Sequence, residues 1–408
     1  MAWKTNRRDF MAGAAATALL GAPALADAAP VKVGLLTVKT GPLAQGGIQM
    51  EQGLALLLRD RGGTLAGRKA EMISADTGGS PAGAKTKAQE LVERENVDFI
   101  VGPLAAFELL AITDYIAQAK VPLLSLAAAD DMTQRKPNPF FIRASSTSSQ
   151  CNHPLGEYAA KDMNLKRVAT ISEDFAFGYE QAGGFQRVFE DNGGKITLKL
   201  WPPLVTADYT PYLAQIQDVD GVWNGFAGSN PVKFNRQYVD AGLKFPRLGG
   251  WTAYDDALLK SFGDEALGAI SAHWYSPDVA TESNKRFVAG MAKEYEVLPG
   301  GYSAGCYVNG MCIEAALQKT GGKTDDKQAL IDALRQVSLQ DTPRGPLRFD
   351  HLGNVVGNVF IRRLDRKDGK LVNTIVKTYP DVSQFWTYDE AKYLATPVYS
   401  RDAAPVKI

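Results

Sequence analysis

The sequence predicts an α/β protein of two lobes, each a mostly parallel sheet covered by helices, joined by a hinge of several strands. Three observations carry this reading. Short apolar runs alternate with helical patterns along most of the chain. The alternation is interrupted once, by the polar small-residue run Ala144-Ser145-Ser146-Thr147-Ser148-Ser149, and then restarts. Near the C-terminus, Gly353-Asn354 and Asp368-Gly369 separate runs of strand character, which signals antiparallel hairpins. Strands that alternate with helices build βαβ units and parallel sheets.

In chain order, Val31–Thr37 is the first predicted strand. Gly41-Pro42 turns the chain into an amphipathic helix over 47–61, stopped by Gly62-Gly63. A strand over 70–76 and a helix over 80–95 follow, with Ser80 as N-cap and Pro81 in the first helical position. The stretch 97–133 is one βαβ unit. Its first strand, 98–102, stops at Gly102-Pro103; its helix, 105–119, carries Leu109, Ile112 and Ile116 at helical spacing; Lys120-Val121-Pro122 leads into a strand over 122–126. The loops after both strands, 103–107 and 127–131, fall at the same edge of the sheet, where open α/β sheets bind ligands. Both consist of small residues, so a ligand can approach the backbone closely.

An extended piece over 140–143 leads into the crossing at 144–149. Strands are then predicted at 167–172, 195–202, 221–226, 247–251 and 269–275, the last crossing back. Helices alternate with them at 177–192, from Pro211, at 231–241 and at 255–262. Helices over 284–296, 303–319 and 325–337 precede strands at 346–349, 355–363 and 371–379. Five aromatics beyond Val382, namely Phe385, Trp386, Tyr388, Tyr393 and Tyr399, predict that the C-terminal extension 381–408 packs on the body. The expected division is 30–144 with 276–348 as lobe 1, and 145–275 with 349–380 as lobe 2. Several crossings make a hinge, and the expected motion is closure around a ligand.

At 408 residues and 45% hydrophobic content, the chain has material for two cores. A formal charge of zero and the lack of a basic tract argue against nucleic acid as a partner. No internal run reaches the roughly 18 apolar residues of a membrane span, so membrane insertion of the mature chain is not expected. Residues 1–26 read as a signal peptide: Arg7-Arg8 precede an apolar run over 11–23, which ends in Ala24-Leu25-Ala26. Arg7-Arg8-Asp9-Phe10 points to twin-arginine export, with a Sec signal as the alternative. Cleavage near Ala26 would release the chain into the periplasm. No cysteine follows the cut, so no lipid anchor is expected.

Cys306 and Cys312 lie six apart on one predicted helix, nearly on opposite faces, and should not bridge. With Cys151 they read as packed thiols. Three histidines and no C-x-x-C leave little material for zinc, and no cofactor is implied.

The segments VKVGLLTVKTGPLAQGG, NVDFIVGP, AKVPLLSLAAADDMT, RVATISEDFAFGYEQAGGF and DHLGNVVGNVFIRRL carry a resemblance. Over nearly the whole mature chain the sequence resembles the leucine/isoleucine/valine-binding protein family, solute receptors of ABC importers with the type I periplasmic binding fold. The resemblance implies a non-enzymatic receptor. It would take a small-molecule ligand between closing lobes and dock on membrane permease subunits. Family receptors for amino acids hold the ligand carboxylate with a Ser in the first loop and a Thr in the second; the matching positions here are Ala106 and Ala129. Their acidic partner for the ammonium is matched by Trp251, and an aromatic near the first Gly-Pro loop by Gly46. Aromatic wall positions are kept as Phe177 and Tyr302, with Phe226 as a further candidate.

These departures have a physical reading. A buried ammonium without a partner charge costs several kcal/mol, so Trp251 disfavours a zwitterion. Loss of two hydroxyls, together with Gly46, is expected to widen the pocket. Phe107, Phe177, Phe226, Trp251 and Tyr302 would supply stacking walls for a planar ring. A carboxylate would sit against backbone N–H groups at Ala105 and Ala106, at a helix start. Ala127, Ala128 and Ala129 line the second loop, and Gln150 and His153 are expected where the crossing meets the cleft. The departures resemble the branch that takes up aromatic acids such as benzoate or cinnamate derivatives; branched-chain or other amino acids and amides remain the alternative within the family. Each candidate also has a plain structural reading: alanines as packing, Trp251 as core, His153 as a satisfied histidine, Arg143 as a brace of the crossing.

Two other classes stay open. Gly301-Tyr302-Ser303-Ala304-Gly305 matches the G-x-S-x-G elbow, with His351 and Asp325 or Asp341 in triad order, although no strand precedes it. That would make a secreted serine hydrolase using Ser303. A sensor ectodomain is the other. Asp76-Thr77-Gly78 has no second copy to share a proton, and Gly322-Lys323-Thr324 lacks the leading glycine of a P-loop.

Overall fold

In the computed structural model, which describes residues 29–408, the first strand is buried along nearly its whole length. The predicted signal segment 1–26 lies outside the described residues. β1 (Val31–Thr37) is apolar on both faces, as a central parallel strand must be. α1 (Ala44–Asp60) covers one side of it. β2 (Thr64–Leu65) pairs antiparallel with β3 (Arg68–Asp76) at the sheet edge. α2 (Pro81–Gln89) starts at Ser80, whose hydroxyl accepts the Gly83 N–H at 3.1 Å. β4 (Phe99–Val101), α3 (Ala106–Ala119), β5 (Leu123–Leu124) and β6 (Phe141–Ile142) complete a six-stranded sheet in the order β2-β3-β1-β4-β5-β6. All its pairings except β2–β3 are parallel.

The second sheet starts after α4 (Asn152–Lys161) with β7 (Arg167–Ser172), α5 (Ala176–Asp191) and β8 (Lys195–Leu200). α6 (Thr210–Leu213), β9 (Gly221–Gly225), α7 (Asn230–Asp240), β10 (Arg247–Gly249) and β11 (Ile270–His273) follow. The chain then returns to the first lobe as α8 (Glu282–Tyr295), α9 (Gly301–Lys319) and α10 (Lys327–Arg335). It re-enters the second sheet as β12 (Ser338–Leu339), β13 (Leu347–Phe349), β14 (Val355–Lys367) and β15 (Lys370–Val382). The order is β12-β13-β14-β11-β10-β9-β7-β8, with β15 on β14. β14 and β15 form a hairpin turned by Asp368 and Gly369, both at positive φ, as a two-residue turn demands.

Three differences from the sequence reading stand out. The helix α4 lies in the stretch between 149 and 167, to which the sequence reading assigns no element; Pro154 sits in its first turn, where its missing N–H costs nothing. Residues 255–262, expected as an α-helix, form 3₁₀ turns over Asp256–Ser261, with the Asp255 carboxylate accepting the Ala257 N–H. β12 and β13, placed by sequence in lobe 1, are hydrogen-bonded into the second sheet because β13 is the antiparallel partner of β14.

Three stretches connect the lobes, at 143–151, at 274–281 and at 336–354, the last carrying β12 and β13. They are knitted together by buried side chains. Arg344 donates to the carbonyls of Ala144 and Ser145, and its guanidinium lies 5.0 Å from the Trp274 ring centre. Arg143 donates to Thr133 and Asn354 and to the Ala129 carbonyl. The C-terminal extension wraps α5: Arg187 donates to the Tyr399 hydroxyl at 2.7 Å and to the Val406 carbonyl at 2.6 Å. α11 (Glu390–Ala395) buries Tyr393 beside it. Cys151, Cys306 and Cys312 are buried and unpaired. Among the described residues, no helix is long and apolar enough to cross a membrane.

α1 and α9 pack in direct contact through glycines. A Cβ on Gly53 would lie 2.0 Å from the Ser303 carbonyl oxygen, and one on Gly310 would lie 2.0 Å from Leu57 Cδ2. Gly53→Ala is therefore expected to push the helices apart and to cost about 1–3 kcal/mol, measured as a lower urea midpoint at unchanged m-value.

Candidate ligand-binding site

The site is assembled at the carboxyl ends of the first-lobe strands. Gly102, at the end of β4, has φ +101° and its Cβ position lies 2.1 Å from the Leu36 carbonyl oxygen, so only glycine fits. α3 opens with the Ala105 N–H donating to Glu108 Oε2 at 3.0 Å, while Thr77 donates to the other carboxylate oxygen. Burial raises the Glu108 pKa above its ordinary value. The first intrahelical bond is Leu109 N–H to the Ala105 carbonyl, which leaves the Ala106 and Phe107 N–H groups free of intrahelical partners. The two loops are tied to each other: Ser125 Oγ donates to the Pro103 carbonyl at 2.8 Å and accepts the Ala127 N–H at 3.0 Å.

Over these loops the second lobe is closed. Ser229 N–H donates to the Pro42 carbonyl at 3.3 Å, and Gly301 N–H to Asp255 Oδ2 at 2.7 Å. Between the lobes lies a small closed chamber with about 20 Å³ of free space. Its first-lobe wall is Leu43, Leu104, Ala105, Ala106, Leu126 and Ala128. The second lobe supplies Phe175, Phe177, Ala227 and Trp251, and Tyr302 enters from the start of α9. The rings support one another: Trp251 is 5.2 Å from Tyr302, 6.2 Å edge-on from Phe177 and 5.6 Å from His273.

No charged side chain lines this chamber. The nearby titratable groups lie behind the wall, Glu173 Oε2 among them without a hydrogen-bond partner. Glu173 accepts from the Ala227 N–H and from Asn230 through Oε1, and burial pushes its pKa up to about 7. His273 Nδ1 accepts the Tyr275 N–H at 2.8 Å, so the ring proton sits on Nε2, 3.4 Å from Asp255 Oδ2. Burial, with the charge of Arg362 adding to it, lowers the His273 pKa to about 3 and keeps the ring neutral. Burial opposes ionisation of Asp255, but hydrogen bonds from His273 and Gly301 outweigh it and hold its pKa below the ordinary value.

The structure brings Ala105, Ala106, Ala128, Phe177, Trp251 and Tyr302 together around the chamber. Other expected residues fall elsewhere. Phe226 fills the second-lobe core against Tyr209 and Phe234, at 5.0 and 4.9 Å between ring centres. Gln150 is a hinge brace: its amide donates to the Val355 and Val382 carbonyls and accepts from Asn354 and the Thr147 N–H. His153 is buried under the C-terminal extension, edge-on to Tyr388 and Tyr393. Phe107 lies at the seam of the lobes, 5.6 Å edge-on from Phe175, rather than in the chamber wall. Ala127 and Ala129 sit in the second loop with their backbone engaged by Ser125 and Arg143, outside the chamber wall. Gly46 does not widen the chamber, because a Cβ there would meet Leu104 at 2.8 Å and Tyr302 at 3.0 Å; those side chains take the space. Leu43, Leu104, Leu126, Phe175 and Ala227 were missed, although each adjoins a loop singled out by sequence or a residue matched within it.

The residues of a hydrolase triad are not assembled. Ser303 Oγ donates to the Gly300 carbonyl at 3.0 Å as a first-turn residue of α9. His351 is exposed and pairs with Glu390, while Asp341 accepts the Ser283 N–H. Among the described residues no cluster of three His, Cys, Asp or Glu side chains stands ready for a metal ion.

Two α/β lobes, joined by three crossings and shut over a small lined chamber, are the construction of a solute-binding protein, which holds a small molecule between its halves. The chain belongs to the periplasmic binding protein family, whose model matches residues 30–370, and its architecture is the type I periplasmic binding fold. It is similar to Leu/Ile/Val-binding protein homolog 6 of Brucella abortus, at 28% identity over 86% of this chain and 91% of that one. Among solved structures it is similar to a solute-binding protein of an ABC transporter from Rhodopseudomonas palustris BisB5 in complex with 3,4-dihydroxybenzoic acid. That match has 33% identity and a TM-score of 0.83, over 87% of this chain and 98% of the other. A further solute-binding protein from R. palustris, in complex with 4-hydroxybenzoate, matches at 27% identity and a TM-score of 0.82, over 88% and 99%.

His153 sets a pH dependence. Burial, and behind it the charge of Arg187, lowers its pKa to about 3, and neither ring nitrogen has a hydrogen-bond partner. An unfolded histidine titrates near 6.5. Between these values the unfolded chain holds a proton that the native chain refuses. The contribution is therefore complete above about pH 6.5 and is lost as pH falls towards 3. At pH 5 the loss is about 2 kcal/mol. Urea unfolding of His153→Phe at pH 7 and pH 5 should show a fall in stability smaller than that of the unsubstituted protein by about this amount.

Proposed function

We propose that this protein captures a small aromatic carboxylic acid in the periplasm and delivers it to the permease of an ABC importer. One observation carries the ligand class: the chamber wall holds Phe175, Phe177, Trp251 and Tyr302 and no ionised side chain. A planar ring gains from such faces, whereas the ammonium of an amino acid would be buried without a partner there. The ligand carboxylate would lie against the free N–H groups at the start of α3, where the helix dipole favours an anion. The closed chamber leaves about 20 Å³ free, room for a water rather than a ring, so a ligand enters with the lobes parted and the walls close around it. The related structures with 3,4-dihydroxybenzoic acid and 4-hydroxybenzoate support the same reading.

The protein works by binding rather than by catalysis. Ligand contacts to both lobes stabilise the closed state and so shift the population towards it. Ala105, Ala106 and Ala128 hold the acid end, and Phe177, Trp251 and Tyr302 hold the ring. Export through the signal peptide at 1–26, of twin-arginine type, brings the chain to its permease. An amino-acid receptor is the second reading; it is favoured by the names of the curated relatives and by the ionised Asp255 near Tyr302.

A thermal-shift series separates the two. At about 100 times its dissociation constant a ligand adds roughly 2.7 kcal/mol, a rise of several degrees. The aromatic reading expects this rise with benzoate or hydroxybenzoates and none with leucine, isoleucine or valine; the reverse pattern would refute it. Trp251→Glu should weaken a bound aromatic acid by about 2 kcal/mol or more, because it puts an unpaired carboxylate against the ring. Calorimetric titration that finds unchanged affinity would remove Trp251 from the ligand contacts.

A further inference from the structure

Beside the chamber, across Tyr302, is a second space, an annex of about 10 Å³, enough for a single hydroxyl- or water-sized group, with several polar side chains in its lining. The first lobe gives it Gln45 and Gln49, the second gives Thr252 and Asp255, and Tyr302 is common to both spaces. Gln49 is 3% exposed, and its Oε1 has no hydrogen-bond partner. That oxygen lies 2.6 Å, and Asp255 Oδ1 1.9 Å, from the point that a Cβ on Gly300 would occupy. Two acceptor oxygens thus converge, which repels. Turning the Gln49 amide end for end would set an N–H rather than a carbonyl on the side of Asp255 and leave the carbonyl without a partner. In either orientation the annex presents a buried amide that nothing in the protein satisfies fully. An unsatisfied buried amide is costly, and a ligand group that completes it gains affinity.

We propose that Gln49, backed by Asp255, reads a hydrogen-bonding substituent on the far side of the ligand ring, so that the receptor selects hydroxylated aromatic acids over the bare or alkylated ring. The inference rests on the aromatic-acid reading and goes further by assigning the discrimination to one side chain. A phenolic hydroxyl both donates and accepts, so it pairs with the amide in either orientation. A methyl group of the same size would leave the amide unpaired, and sites of this kind reject such isosteres strongly.

The test is calorimetric titration of the mature protein with 3- and 4-hydroxybenzoate, each against its methyl isostere. In the unsubstituted protein, one of the two hydroxyl acids should bind at least about tenfold more tightly than its methyl partner. In Gln49→Leu that ratio should fall below about twofold, with binding of the methyl acid as the check that the variant folds. Equal affinities in the unsubstituted protein would overturn the proposal without any variant. An undiminished ratio in Gln49→Leu would overturn the role of Gln49. If no ring acid binds at all, the aromatic reading itself falls, an outcome distinct from both.

Discussion

The buried guanidinium of Arg344 holds the three crossings at one point. It donates to the first crossing at Ala144 and Ser145, belongs to the third, and stands over the ring of Trp274 at the start of the second, 5.0 Å from its centre. Burial pulls its pKa down to about 10, and it remains charged at neutral pH. A cation placed among carbonyl dipoles and a ring face is stabilised without a counter-ion. The lobes can then move about a fixed pivot. Arg143 and Gln150 extend the same arrangement towards Asn354, Val355 and Val382. The polar run at 144–149 is engaged in this joint through the Ala144 and Ser145 carbonyls and the Ser146 and Ser148 hydroxyls.

Around that pivot, polarity is divided by position. The chamber is walled by alanines, leucines and rings, while ionised and hydrogen-bonding groups lie just behind. Asp255 illustrates the division. It caps the turn at Ala257, accepts the Gly301 N–H that opens α9, and faces a histidine whose tautomer is fixed by the Tyr275 N–H. One buried carboxylate thus links the second lobe to the helix that carries Tyr302. The position of an aromatic wall residue depends on an acid that does not itself line the chamber.

The fold was legible because its evidence is periodic and repeated. The βαβ unit over 97–133, the restart after 149 and the hairpin at Asp368-Gly369 each stand on several residues. α4 was not legible, since its first turn carries Asn, His and Pro, which resemble a loop until Pro154 is recognised as a first-turn residue. The site was legible in part. Ala106, Ala128, Trp251 and Tyr302 follow from loops at one sheet edge and from the family resemblance. Phe226 did not, because an aromatic at the end of a strand can point to either side of the sheet, and the core behind β9 claims it. His153 and Gln150 were misplaced for a related reason: their partners come from residues beyond 350, more than two hundred positions away, and no local pattern announces such contacts. Gly46 shows the same limit at short range, because the loss of one side chain is filled by its neighbours rather than left open.

Trp251 has a consequence beyond contact with a ligand. Its indole belongs to the second lobe, yet its neighbours include Tyr302 from the other side of the cleft, and its N–H is buried without a partner. When the lobes part, that N–H meets water and the ring loses Tyr302. Indole emission is sensitive to both changes. The molecule therefore carries its own optical gauge of opening, placed at the seam by the sequence and needing no added dye.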